Sequence, residues 1–266
     1  MPTLSSDHRL KWLFTLTGIA VLSVFNFGPF PENPLSHQFA DQRSVFGIAN
    51  FANIVSSLPL IWVGNLGMRL ITRHEAPGGL QSLMPLYFIF FAGVFLSGFG
   101  SSFYHYHPDN RSLVWDRLPM TVAFMAFLAV VVGEYISDRL ALKLFFPLII
   151  MGLGSVVYWY FSELVGRGDL RFYALVQFWP MLLIPMIAWL YRSAVINGRY
   201  IWILMAAYAV AKIAEFYDAE IFRLLRVISG HSLKHLFAAL GVWFFYRGLA
   251  VPPSQSSTDT VRPSDA

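Results

Sequence analysis

The sequence predicts an all-α fold embedded in a membrane, and three observations carry that reading. The chain is 56% hydrophobic and 17% aromatic but only 13% charged. Soluble domains carry roughly a quarter charged residues, so this chain cannot dress a water-facing surface of its size. Apolar runs long enough to cross a bilayer, about 20 residues each, recur along it roughly eight times. Those runs are continuously apolar, without the alternation in short segments that marks a transmembrane barrel.

The expected spans cover residues 10–28, 46–68, 83–106, 114–136, 142–161, 172–191, 200–217 and 231–249. Arg9 and Lys11 precede the first, which resembles a signal peptide in outline. The sequence continues Phe-Gly-Pro-Phe-Pro with no small-residue cleavage site, so this run is expected to stay as a helix. Pro29, Pro31 and Pro34 predict an extended connection up to Asp41. Pro59, Pro147, Pro180 and Pro185 fall inside spans, where neighbouring helices can satisfy the freed carbonyls. In domain terms the chain divides into a cytoplasmic stub (1–9), an extra transmembrane helix (10–28) and a connecting loop (29–45). A core follows (46–250), and then a polar tail (251–266) whose composition reads as disordered.

The net charge of +4 does not imply nucleic acid, because the basic residues stand singly or in pairs at the ends of apolar runs. The Lys and Arg residues at alternate span ends, from Arg9 and Lys11 to Arg247 and Arg262, outnumber those at the opposite ends. That bias places both termini in the cytoplasm, in a plasma membrane or a bacterial inner membrane. The absence of cysteine removes disulfides and thiolate chemistry. Neither HExxH, nor a GxSxG elbow, nor a phosphate loop is present.

Residues 100–121, GSSFYHYHPDNRSLVWDRLPMT, break the apolar pattern. Polar groups at membrane depth are costly and usually functional. Ser101 and His105 are four residues apart and share a helix face; His231 and His235 have the same spacing. Helix parity puts His105, Asp116 and His231 at one side of the membrane, near the outer face in the expected orientation. Three histidines can hold a tetrahedral Zn²⁺ and leave a fourth position for water, the pattern of a catalytic zinc. The plainer alternative has each histidine as a hydrated helix-end group. Asp116 is either a helix N-cap or a base poised to accept a proton. His107 faces away from His105 on a continuing helix, and His-Pro signals that the helix ends there. Arg117 is expected to point elsewhere and anchor to head groups. Lys212, Glu215 and Asp218 suggest a structural ion pair, the alternative being a supporting role for Asp218 behind the site. Asn50, Asn53, Ser56 and Ser57 suggest helix–helix hydrogen bonding.

These residues resemble the alkaline ceramidases, a family within the adiponectin-receptor-like superfamily of heptahelical proteins. The resemblance rests on GSSFYHYHPDNRSLVWDRLPM followed by GHSLKHLFAALG, on ANFANIVSSLPL from Ala49, and on the Ser-x3-His and His-x3-His spacings. It covers roughly residues 36–250. It implies a seven-helix core preceded by one added helix, with zinc held by His105, His231 and His235, hydrolysing the amide bond of ceramide-like lipids. Asp116 and Ser101 take the catalytic positions. The animal enzymes of this family bind calcium through acidic residues before the first core helix. In the stretch leading into that helix here, only Asp41 is acidic nearby, and Asn50 replaces an expected glutamate, so calcium is doubtful. Lys234 stands where those enzymes have an aromatic residue. The expected partners are the bilayer and a long-chain amide lipid within it, with the aromatic stretches 158–161 and 178–179 shaping an acyl groove. The other classes of function to weigh are a non-catalytic heptahelical receptor or lipid-binding protein with structural zinc, and a transporter. Polar groups gathered at one end rather than at the midplane disfavour the transporter.

Overall fold

The computed structural model describes residues 6–252; the expected disordered tail, beyond its first two residues, and the first five residues of the stub lie outside the described residues. Nine α-helices form among the described residues: α1 Ser6–Asn26, α2 Phe51–Thr72, α3 Met84–Tyr106, α4 Asn110–Tyr135, α5 Asp138–Leu164, α6 Arg171–Leu190, α7 Arg199–Phe216, α8 Asp218–Leu225 and α9 Gly230–Ala250. No strand is formed there beyond an isolated bridge between Val45 and Ile48.

Eight of the nine correspond to the expected spans. Five of these, α2 to α6, are long and apolar enough to cross a membrane, and α7 with α8 makes a sixth if that bent pair is one span. This is the helix set of a multi-pass membrane protein. α1 and α9 fall outside it; α9 carries His231, Ser232, Lys234 and His235 in its first two turns. The short α8, bent 80° from α7, has no counterpart in the expected spans.

α2, α3, α4, α6, α7 and α9 close a ring, each packed on the next, with α5 outside against α4 and α6 and α1 peripheral on α6. Glycine sets how closely these helices approach. A Cβ on Gly100 of α3 would lie 2.0 Å from the Trp115 carbonyl of α4, and one on Gly93 2.8 Å from Ala123 N. On the α2 side, a Cβ on Gly98 would meet Ile61 and the Ser57 carbonyl, and one on Gly64 would meet Phe95. α3 is therefore held backbone-close to both neighbours, the small-residue packing that membrane helices favour.

Helix ends explain where the polar residues fall. Asp109, not Asp116, caps α4: its side chain accepts from Ser112 N at 2.7 Å while Ser112 Oγ accepts from Asp109 N. Asp116 consequently sits in the second turn, and Pro119 lies inside the helix rather than harmlessly in its first turn. Pro119 cannot donate to the Trp115 carbonyl, which is the atom that Gly100 admits. α3 ends at His107, as its His-Pro sequence suggests.

Candidate metal centre

His105 leaves the last turn of α3, and His231 and His235 leave the first two turns of α9. All three are buried. The three ligand atoms lie within 4.8 Å of one another, forming a group that can hold a metal ion. His105 Nε2 is 3.3 Å from His231 Nε2 and 3.5 Å from His235 Nε2. Nitrogen ligands about 2.0–2.1 Å from a tetrahedral ion stand roughly 3.3–3.4 Å apart, so both measured edges fit such an ion. Three ring nitrogens converging this closely cannot all be satisfied by protons passed among themselves, whereas one cation satisfies all three lone pairs.

The tautomer of His235 can be worked out from its neighbours. Ser56 Oγ donates its single proton to the Asn53 carbonyl at 2.9 Å. It can therefore meet His235 Nδ1, also 2.9 Å away, only as an acceptor. Nδ1 carries the hydrogen and Nε2 turns a bare lone pair toward the other histidines, as a metal ligand requires. Asn53 Oδ1 accepts from Ser232 Oγ at 2.7 Å, and Asn50 Nδ2 donates to the His105 carbonyl at 2.9 Å. The polar face of α2 thus makes the helix–helix bonds expected of it, but makes them to the residues of the site. Asn50 holds a left-handed conformation (φ 52°), which asparagine tolerates better than most residues.

Ser101 Oγ is 3.2 Å from His235 Nε2 and accepts from Ser57 Oγ at 3.2 Å. Asp116 lines the same cavity as Ser101, His231 and His235, with Ser101 among its carboxylate's neighbours. His107 is exposed and outside the cluster. The sequence-derived set is thereby brought together: His105, His231 and His235 converge, and Ser101 and Asp116 stand beside them.

Other expectations need correction. Arg117 does not reach for head groups. It is inserted between Trp159 and Tyr173, 4.3 and 4.5 Å from their ring centres, and its Nη2 bonds Glu32 at 2.6 Å. Asp218 does not join an ion pair with Lys212 and Glu215. Its Oδ1 accepts from His231 N at 2.7 Å and its Oδ2 from Ala40 N at 3.0 Å, so it fixes the start of α9. Glu215 does pair, with Lys212 at 2.5 Å and with Lys234 at 2.6 Å. Asp41, the acidic residue nearest the start of α2, is gripped by Arg43 through two bonds of 2.8 and 2.6 Å. That guanidinium holds the Asp41 carboxyl below its ordinary range.

The loop expected to run extended to Asp41 instead folds over the site. Phe39 is buried with its ring 4.7 Å from His105 and 4.8 Å from His231. His37 bonds Tyr104 and Asn110, both at 3.0 Å, and a 3₁₀ turn at Pro34–His37 shapes the crossing. Phe39 could not be picked out in a chain this rich in phenylalanine.

The ring of helices encloses a cavity of about 200 Å³ beside the histidines. Leu60, Ser97, Met120, Gln177, Tyr208 and Ala238 line both it and a second, apolar space of about 130 Å³ deeper in the bundle. Phe90, Val94, Phe124 and Phe127 line the deeper space, and the aromatic stretches 158–161 and 178–179 do not. Tyr158, Phe161 and Phe178 are exposed on the bundle's outside, and Trp179 faces α1. No protein-family model matches the chain, and no curated protein matches it significantly.

Proposed function

We propose that this protein is an intramembrane, zinc-dependent amidohydrolase acting on ceramide-like long-chain amides. The observation that carries the proposal is the convergence of His105, His231 and His235 with an acid, Asp116, and a hydroxyl, Ser101, on one cavity that continues into an apolar space. Zinc suits three neutral imidazoles in a site without thiolates, and when bound there it supplies a Lewis acid and lowers the pKa of water toward neutrality.

The chain's own residues account for the remaining requirements. The apolar space takes the acyl chain and leaves the amide carbonyl at the level of Ser101. The Ser101 hydroxyl donates to the carbonyl oxygen as negative charge gathers there. Asp116 accepts a proton from the attacking water and delivers it to the nitrogen, so that the sphingoid base leaves as an amine rather than an anion. Phe39 and the strap around it exclude bulk water above the histidines. The products are a fatty acid and an amine.

The direct test is release of labelled fatty acid from a labelled ceramide by purified protein. Asp116→Asn should lower kcat by about 10²–10⁴, the usual worth of a positioned acid–base group. Activity unchanged by that substitution, or by removal of the metal, overturns the mechanism. A metal-loaded protein that turns over no long-chain amide would instead indicate a structural ion in a receptor or lipid-binding protein.

A further inference from the structure

The apolar space below the polar cavity ends on an aromatic floor. Its lining stops at Phe90 on α3 and at Phe127 on α4. These two rings and that of Phe245 on α9 form a closed triangle, with centres 5.2, 5.3 and 5.4 Å apart. All three side chains are buried. Beneath the triangle the bundle is solid, since Tyr87, Val130 and Val131 have no exposed surface. Tyr87, whose ring lies 6.0 Å from that of Phe245, donates its hydroxyl to the Glu134 carboxylate, so the floor rests on an anchored side chain. Three helices give its depth independently. Phe90 stands eleven residues before Ser101 on α3, Phe127 eleven after Asp116 on α4, and Phe245 ten after His235 on α9. At a rise of about 1.5 Å per residue, each helix puts the floor about 15–17 Å below the site.

We infer that the Phe90–Phe127–Phe245 floor limits the length of the acyl chain, to about ten to fourteen carbons when the chain is saturated. The inference rests on the amidohydrolase reading and narrows its substrate class. An extended chain advances about 1.2 Å per bond, so this depth spans roughly twelve to fourteen bonds. The terminal methyl has to stop about 4 Å short of the ring carbons, which takes back about three of them. A longer chain must displace the triangle, and extra methylenes forced into a packed core are unfavourable.

The test uses one sphingoid base acylated with saturated chains from octanoyl to icosanoyl, at equal mole fraction in neutral maltoside micelles. Hydrolysis is measured on zinc-loaded native protein. Equilibrium binding is measured on zinc-loaded Asp116→Asn, which consumes its ligand far more slowly. Affinity and kcat/KM should both hold up to about tetradecanoyl and fall at least about tenfold by octadecanoyl, the scale of an overpacked core. Phe127→Ala should move the limit up by about two to four carbons, roughly the depth of the ring it removes. Val94→Phe, which fills the space one helical turn nearer the site, should move it down by about four. A loss of stability alone lowers every chain length alike and moves no limit. A profile that stays flat to icosanoyl overturns the inference, because the chain end would then leave the bundle between α6 and α7, past Met181 and Leu204. So does a limit that neither variant moves. Should Phe127→Ala fail to fold, Val94→Phe decides the matter. A binding limit at the expected length without hydrolysis of any member overturns the amidohydrolase reading and leaves the floor standing; hydrolysis of every length alike does the reverse.

Discussion

Ser56 is the residue that best shows how the site is tuned. It lies behind the histidine cluster, yet its acceptor role sets the proton on His235 Nδ1 and turns Nε2 toward the other histidines. Groups behind a metal ligand typically contribute 10–100-fold in metal affinity. Ser56→Ala is therefore expected to weaken zinc binding by about that range in competition with a chromogenic chelator, with the fold intact by circular dichroism. Unchanged affinity would show that His235 is oriented by packing alone. The converging histidines themselves were legible in the sequence, within two i, i+4 pairs (Ser101 with His105, His231 with His235) whose helix parity matched. Ser56 was visible only as one of four polar residues on α2. What it bonds depends on how α2 is rotated against α9, and a helix apolar on nearly every side carries no periodic signal for that rotation. Arg117 was misread for the same reason, since the aromatic slot between Trp159 and Tyr173 exists only once α4, α5 and α6 have packed.

Among elements, the contact of α3 with α4 decides whether Asp116 reaches the histidines. Gly100 is the close-approach point, and a methyl group there meets the Trp115 backbone rather than a flexible side chain. Gly100→Ala should cost about 1–3 kcal/mol in thermal or denaturant unfolding. Gly154 of α5 has nothing within 4 Å of its Cβ position, so Gly154→Ala should be neutral or stabilising by up to about 1 kcal/mol. Equal effects at both positions would remove the close-approach argument. The element limits were mostly legible, because hydropathy marks where apolar runs begin and end. The starts of α1, α2, α4 and α5 lie four or five residues from those expected, and the shift in α4 is the one that bears on the site: Asp109 and Ser112 form a capping box ahead of the apolar run, moving the helix start back and Asp116 inward. The strap over the site was not legible at all, since its three prolines suit an extended connection and a folded one equally.

Outside the spans, the α5–α6 turn is held by an ion pair that gives stability a pH dependence. Arg171 bonds Asp169 through both carboxylate oxygens and keeps that carboxyl below its ordinary range. A carboxyl with a depressed folded pKa contributes stability above its unfolded value, about 3.9, and loses it as the pH falls through the folded one. Asp169→Asn should therefore lower the melting temperature at pH 7, with the deficit shrinking below about pH 4. A deficit that is the same at pH 3 and pH 7 would mean that the charge is irrelevant.

For the whole molecule, the candidate centre joins α3 to α9, elements separated by more than a hundred residues of chain. An ion held there would join the ring of helices at its polar end, so its removal should loosen the fold. A ligand at about 1,000 times its Kd stabilises by about 4 kcal/mol, and chelation should lower the melting temperature correspondingly. Readdition of zinc should restore it. The eightfold repetition of apolar runs and the shared depth of the polar residues were sufficient to assemble this architecture in outline. The closed ring, the cavity within it and the paired lysines on its wall follow from tertiary packing.

The most direct test of the central claim is the metal content of the purified protein by elemental analysis, measured alongside His231→Ala. The expected result is about one zinc per native chain and a large loss in the variant, because two imidazoles hold zinc far less firmly than three. A native protein free of metal after zinc supplementation, or a variant retaining as much zinc as the native chain, would contradict it.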